Sequence, residues 1–271
     1  MKIAEIIEKV RNFHGKLDDS KFDKVIWGDT DRECTGIAVC CAPTVEVLYK
    51  AHDIGANLVI CHEPTFHTGR DEMEKVAGVA WVEEKTELID KLGLTIWRDH
   101  DHMHRGVRTG KDHIYHGLMH ILGWEDYVVG NAHRPLLFDI PETDAESLCR
   151  FFIDRLHLNG VRVVGDRHAK VRRVFLCGHV YGRDDEALYT RDEILQADAF
   201  IPFEVIDWTL SSLIRDAAFL GHGKVMLEMG HYNVEEAGMD YMANVRLPEL
   251  LEHKVPITFV RSGDTFEYIV K

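Results

Sequence analysis

The chain has 271 residues, 45% hydrophobic and 29% charged, and carries a net charge of −14. That composition is globular, with room for one large core or two modest ones. The lack of any Lys/Arg-rich stretch excludes a phosphate-backbone binder. No apolar run approaches the ~20 residues of a membrane span, and the opening MKIAEIIEKVRNF lacks a signal-peptide apolar block. A cytoplasmic protein is expected, with a small-molecule substrate and neither nucleic acid nor membrane as partner.

Ile3, Ile6, Ile7 and Val10 recur at helical spacing and predict an amphipathic first helix. A polar, Asp-rich stretch, 18–33, follows and contains Trp27-Gly28-Asp29. Thr35 to Ala42 reads as a strand, and Val45 to Ile54 as a helix closed by Gly55. Leu58 to Cys61 is an apolar run of strand length that ends in His62-Glu63-Pro64 and reads as a central strand of a parallel sheet. A long helix is predicted from about Asp71 to Leu92. A short strand, Leu94 to Trp97, then runs into the loop RDHDHMHRG, with Asp99, His100, Asp101, His102 and His104.

Asp112 to Leu122 reads as a helix whose His113, His116 and His120 share a face, best explained by packing. Strand-like YVVG and PLLFDI come next, then a helix near Thr143 with a Thr143/Glu146 capping box. Arg162 to Gly165 and Val174 to Cys177 read as strands, the latter ending in Gly178-His179. A helix near Asp184 to Gln196 leads to strand AFIPF, which ends in Glu204. Helix Trp208 to Leu220, strand KVMLEMG ending in His231, helix Val234 to Leu251 and two closing strands (VPITFV, TFEYIV) complete the chain. The alternation predicts an α/β protein of two similar lobes of mixed or mostly parallel sheet flanked by helices, with a metal site at strand C-terminal ends between the lobes. The first lobe is expected over 1–126. The second spans 127–271, its part 201–271 returning to the metal site with His231 and Glu235.

The six cysteines form no C-x-x-C and mostly lie in apolar runs, which suits reduced, buried thiols. The 17 histidines are the unusual feature. Five strand ends carry ligand-type side chains: His62/Glu63, Asp99 to His104, His179, Glu204, and His231 with Glu235. Imidazoles and acids at most of them point to a metal centre. His231 and Glu235 lie one helical turn apart and can face one point. Adjacent strand residues point to opposite sides, so His62 and Glu63 both ligate only if the backbone turns at Pro64, or if they serve two ions side by side. Two ions would lie about 3.5–4 Å apart, with Glu63 or Glu235 as the bridge.

TGIAVCCAPTVEVLYKAHDIGANLVICHEPTFH, the strand ending RDHDHMH, and MLEMGHYNVEEAG together resemble the Nif-three-like dinuclear metal centre family. Trp27-Gly28-Asp29 and ADAFIPFE extend the match in order over most of the chain, and the short length resembles members without the central insert domain. Members usually read His-His-Pro at His62-Glu63-Pro64, His-x-x-x-Asp at His100 to His104, and Gly-His-x-x-x-Glu at Gly230 to Glu235. The resemblance therefore implies His62, Glu63, His104, His231 and Glu235 as metal ligands. One His has become a carboxylate and one carboxylate a His, so three imidazoles and two carboxylates are retained. Asp101, His100 and His102 are the alternative donors from the same loop. The resemblance also implies a two-lobed α/β subunit and a toroidal homohexamer whose metal sites face an inner cavity. Some members are GTP cyclohydrolase-type enzymes and others are known only as metal binders.

The leading functional expectation is a dinuclear metal-dependent hydrolase acting on a small nucleotide-like or cyclic amide substrate. It would bind two divalent cations per chain (Zn, Fe, Mn, Co or Ni), and a bridging hydroxide would make the attack. His100, Asp101 and His102 are the expected catalytic group, since histidine titrates nearest neutral pH. Arg98 is the expected anchor of an anionic substrate, and His179 and Glu204 are expected to contact it. The contrasting expectation is a non-catalytic metal-binding regulatory or metal-chaperone ring. A Cys61 nucleophile is disfavoured, because the neighbouring His62 would face the other way.

Overall fold

The structure is a computed structural model and describes residues 1–180 and 195–270. The chain forms two compact units, 1–118 with 235–262 and 119–234 with 263–271. The expected boundary at 126/127 gives way to this interleaved division, and its physical basis is a strand pairing described below.

In the first unit, α1 (Ile3–His14) buries Ile3, Ile6, Ile7 and Val10 along one face. β1 (Lys24–Trp27) lies within the Asp-rich stretch. This strand carries no apolar alternation because it is a half-exposed edge, antiparallel to β4 (Thr95–Arg98). β2 (Ile37–Cys40) and β3 (Leu58–Cys61) are buried along their whole length. α2 (Val45–Asp53) connects them, its N-terminus capped by Thr44 Oγ1 accepting from Val47 N–H. β2, β3 and β4 run parallel, in a five-stranded sheet ordered β1-β4-β3-β2-β11. β11 (Ile257–Phe259) pairs parallel with β2, Thr258 opposite Ala38, which is why 235–262 belongs to the first unit.

The long helix expected from Asp71 is only α3 (Ala80–Leu92), preceded by a 3-10 turn at Met73–Lys75. Asp71 instead has φ 52° and spends Oδ1 on the Thr65 and Phe66 N–H groups, and Gly78 at φ 79° separates the two helical pieces. The His-rich loop contains one helical turn, α4 (Asp101–Arg105), closed by Gly106 at φ 42°. α5 (His113–Leu122) buries His113 and exposes His120.

In the second unit, β5 (Val128–Val129), β6 (Leu137–Asp144) and β8 (Lys170–Val180) pair antiparallel in order. β8, β9 (Ala199–Val205) and β10 (Val225–Glu228) run parallel, and β7 (Arg162–Gly165) closes the six-stranded sheet antiparallel to β10. α6 (Ala145–Leu156) is capped by Asp144, which accepts from Ser147 N–H. The expected Thr143/Glu146 box is not the cap. Thr143 is still in β6, and Glu146 binds Arg150 and Arg167.

The helix expected at Asp184 to Gln196 lies largely outside the described residues. α7 (Ser212–Phe219) follows a π-turn, Asp207–Ser211, kinked at Thr209. α8 (His231–Tyr241) begins three residues before the expected start, and π-turns through Met242–Arg246 lead it into α9 (Leu247–Leu250). TFEYIV, expected as a last strand, pairs with no strand among the described residues and is exposed from Thr265 onward.

α8 is seated on α5 by two glycines. A Cβ on Gly117 would lie 2.6 Å from Gly238 Cα, and one on Gly238 would lie 2.6 Å from Ile114 Cα. Both clashes are with backbone, so neither helix can yield by moving a side chain. Gly238→Ala should lower stability to urea by roughly 1–3 kcal/mol through overpacking. Gly69→Ala, whose Cβ meets nothing within 4 Å, should stay within about 0.5 kcal/mol of the parent. Equal midpoints for the two variants would mean the helices are not in contact here.

Candidate metal centre

β3 ends where the N–H groups of His62 and Glu63 both donate to one carbonyl, that of Cys41, at 3.0 and 2.9 Å. The ladder stops and the backbone turns, so two adjacent side chains reach one place. Single ligand atoms of His62, Glu63 and Glu235 lie within 4.8 Å of one another, as do those of His62, His100 and His104. Glu235 comes from α8, His104 from α4, and His100 from the residue before α4.

The tautomers follow from the partners. His62 Nδ1 lies 3.1 Å from the Asp99 carbonyl oxygen, which only accepts, so Nδ1 carries the hydrogen. Its Nε2 then presents a lone pair 3.4 Å from Glu235 Oε2. His104 repeats the arrangement, with Nδ1 3.1 Å from Asp112 Oδ2 and Nε2 3.7 Å from Glu235 Oε1. Asp112 Oδ1 also accepts from Ile114 and Tyr115 N–H, so one residue caps α5 and orients His104.

A lone pair facing a carboxylate is repulsive unless a positive charge stands between them. His62 Nε2 is buried and has no hydrogen-bond partner. Imidazoles with Nδ1–H held by an oxygen and Nε2 turned to a carboxylate are what a divalent cation requires. The donors contain no thiolate, and the residues fit such a cation.

The other expected residues are placed as follows. The ring of His100 stacks on His62 with centroids 4.5 Å apart, and its Nδ1 is 3.0 Å from Asp101 Oδ1. That hydrogen bond, ahead of the opposing effect of burial, holds the Asp101 carboxyl below its usual range. His102 points elsewhere. It is buried with Asp23 and Asp99, its Nδ1 3.0 Å from Asp23 Oδ2.

Arg98 does not stand free as a substrate anchor. It is buried, donates from Nε to the His62 carbonyl at 2.8 Å and from Nη1 to the Gly69 carbonyl at 2.7 Å, and lies 3.5 Å from Glu63. Its guanidinium braces the turn that carries both ligands. Cys61 is no nucleophile, since burial, only partly offset by Arg98, pushes its thiol up to about 12.

In the second unit, His179 and His231, at the end of β8 and the start of α8, flank the Glu204 carboxylate. His179 Nδ1–H donates to Oε2 at 2.6 Å and His231 Nδ1–H to Oε1 at 2.5 Å. Burial would raise the Glu204 pKa, but the two imidazoles outweigh it and bring it to about 2. Glu204 is thus the acceptor that orients His231, a role the sequence did not suggest.

Sequence reasoning also missed Asp112, Asp23, His14 and the Asp99 carbonyl. Asp112 had a helix-start signal, but nothing in sequence ties it to His104. A backbone carbonyl gives no sequence signal at all.

An α/β protein with a buried imidazole–carboxylate cluster at the ends of parallel strands fits a metal-binding protein. The chain belongs to the Duf34/NIF3 (NGG1p interacting factor 3) family, whose sequence model matches residues 1–264. Its fold is similar to that of hypothetical protein SA1388 from Staphylococcus aureus, at TM-score 0.70 and 19% identity over 99% of each chain. It is also similar to a Bacillus cereus protein related to NIF3, at TM-score 0.70 and 15% identity over 99% of each chain. Reduced HcgD from Methanocaldococcus jannaschii gives TM-score 0.58 and 17% identity over 98% of each chain. At these identities the likeness is one of fold. No curated protein matches the chain in sequence. Among the described residues, no helix is long and apolar enough to cross a membrane.

Beside the centre, burial first and then His14 bring His113 from 6.5 down to about 3. The folded state therefore keeps this imidazole neutral while the unfolded chain protonates near 6.5. Its contribution is complete above that value and is lost as pH falls toward about 3. The slope is about 1.4 kcal/mol per pH unit for one proton. Urea midpoints between pH 6.5 and 4.5 should fall less steeply for His113→Gln than for the parent, and parallel slopes would refute the assignment.

Proposed function

We propose that the protein is a dinuclear metal-dependent hydrolase acting on a small nucleotide-like or cyclic amide substrate, in the manner of GTP cyclohydrolase-type relatives. The observation that carries it is the buried, unpartnered Nε2 of His62 facing Glu235. His62, Glu63, His104 and Glu235 are the proposed ligands in the first unit. The family resemblance adds His231, whose Nδ1–H is held by Glu204 just as His104 is held by Asp112.

When bound, divalent cations acidify water and polarise a substrate oxygen. The chain's own part is to fix the donors and to move a proton. His100 is the proposed proton carrier, since its Nδ1 hydrogen bond to Asp101 fixes the ring beside the ligands. His102 is released from that role by its burial against Asp23. His179 and Glu204 pass from substrate contact to holding His231. Arg98 holds the ligand turn.

A homohexameric ring is part of the proposal. It is supported by large apolar side chains on the second unit, Trp208, Phe219 and Leu220, left more than two-thirds exposed.

Untagged protein should carry about two transition-metal ions per chain at this centre and hydrolyse a member of a panel of nucleotides and cyclic amides in a metal-dependent way. His62→Ala and Glu235→Gln should each reduce bound metal sharply with the fold retained by circular dichroism. Cys61→Ser should change neither metal nor turnover. Tight metal binding with no turnover on a broad panel would instead favour a metal-handling ring without catalysis.

A further inference from the structure

We propose that Asp23, Asp99 and His102, with His14 beside them, form a second divalent-cation site in the first unit, separate from the centre at His62 and Glu235. Asp23 immediately precedes β1, Asp99 follows β4, His102 lies in α4 and His14 ends α1. Four distant stretches of sequence thus meet at one buried point. The side chains of Asp23, Asp99 and His102 are each 1% exposed and that of His14 is 0% exposed.

One close pair, His102 with Asp23, is joined here by further buried polar atoms that no hydrogen bond satisfies. His102 Nδ1 is 3.0 Å from Asp23 Oδ2 and 3.7 Å from Asp99 Oδ1, and His14 Nε2 is 3.4 Å from Asp99 Oδ2. Yet both ring nitrogens of His14, both of His102, and Asp99 Oδ1 have no aligned hydrogen-bond partner. Native interiors rarely tolerate so many unmatched polar atoms in one place. Metal–ligand bonds of about 2.0–2.1 Å place neighbouring donors roughly 3–3.4 Å apart. The separations here are close to the edges of such a polyhedron, and atoms of Asp23, Asp99 and His102 lie within 4.8 Å of one another.

Two carboxylate oxygens and an imidazole nitrogen suit zinc, manganese, iron(II) or cobalt.

With three donors almost wholly buried and His14 against Asp99, the site has little access to solvent, so its role is structural. It also supports the neighbouring centre. Asp23 accepts from the His100 and His102 N–H groups, and the Asp99 carbonyl fixes the tautomer of His62. A cation there would tie α1, the entry to β1 and the end of β4 to the loop that delivers His100 and His104.

None of its donors belongs to the first centre, so the two ideas fail separately. Crystals of the unaltered chain soaked in zinc alone should show an anomalous peak among Asp23, Asp99 and His102, whatever is seen at His62. In solution, Asp99→Asn/His102→Gln should bind about one zinc fewer than its parent, both in the native background and in His62→Ala/Glu235→Gln. Saturating zinc with no density peak at these residues would overturn the site, and so would unchanged stoichiometry in a folded double variant. Loss of zinc only in the His62→Ala/Glu235→Gln background would sustain the first centre and reject this one.

Discussion

The hydrogen on Nδ1 organises the candidate centre. His62 gives it to a backbone carbonyl and His104 to Asp112. Two different acceptors impose one tautomer, which leaves Nε2 facing Glu235 in each ring. An imidazole free to flip would offer either nitrogen and spend entropy on binding, whereas these are oriented before any ion arrives. Glu235 is then the common carboxylate that faces the Nε2 atoms of His62 and His104. It is held in place by α8, whose approach to α5 depends on glycine at 117 and 238.

The parallel core strands make this precision affordable. β2, β3 and β4 are buried along their whole length and paired in register, Cys40 with Cys61 and Cys61 with Arg98. Their ends are therefore fixed, and the turn at His62-Glu63 starts from a rigid position. The Cys41 carbonyl takes two N–H groups there, and Arg98 reaches across from β4 to the His62 carbonyl. A cation buried in the fold thus stabilises a loop through backbone contacts, which a mobile surface arginine could not do.

Much of this was legible in sequence and some was not. The apolar runs at Ile37 to Cys40 and Leu58 to Cys61 announce buried strands because both faces are covered, and their polar ends announce chemistry. β1 was illegible because an edge strand need not be apolar. The helix from Asp71 was over-read, since a helical pattern does not show that Asp71 is needed as an acceptor in a left-handed turn. Among the site residues, the types His62, Glu63, His104 and Glu235 stood out as metal donors. Pairings across long sequence separations did not, and so Glu204 was read as a substrate contact when its position makes it the partner of His231. Arg98 misled for the same reason. A cation at a strand end resembles an anchor until its guanidinium is seen to be engaged by carbonyls and acids.

The exchanged pair, carboxylate at 63 and imidazole at 104, gains a physical account from these neighbours. A carboxylate at 63 lies 3.5 Å from the Arg98 guanidinium, so its charge is partly balanced before any metal binds. An imidazole at 104 sits between Asp112 and Glu235, where its Nδ1–H is accepted by Asp112 and its Nε2 faces Glu235. Reversing both residues would place an imidazole against a cation and a carboxylate between two acids. Each reversal is electrostatically worse in this surrounding. The exchange therefore belongs with Arg98 and Asp112 as one set of four residues, and either ligand position changed alone would strand its partner's charge.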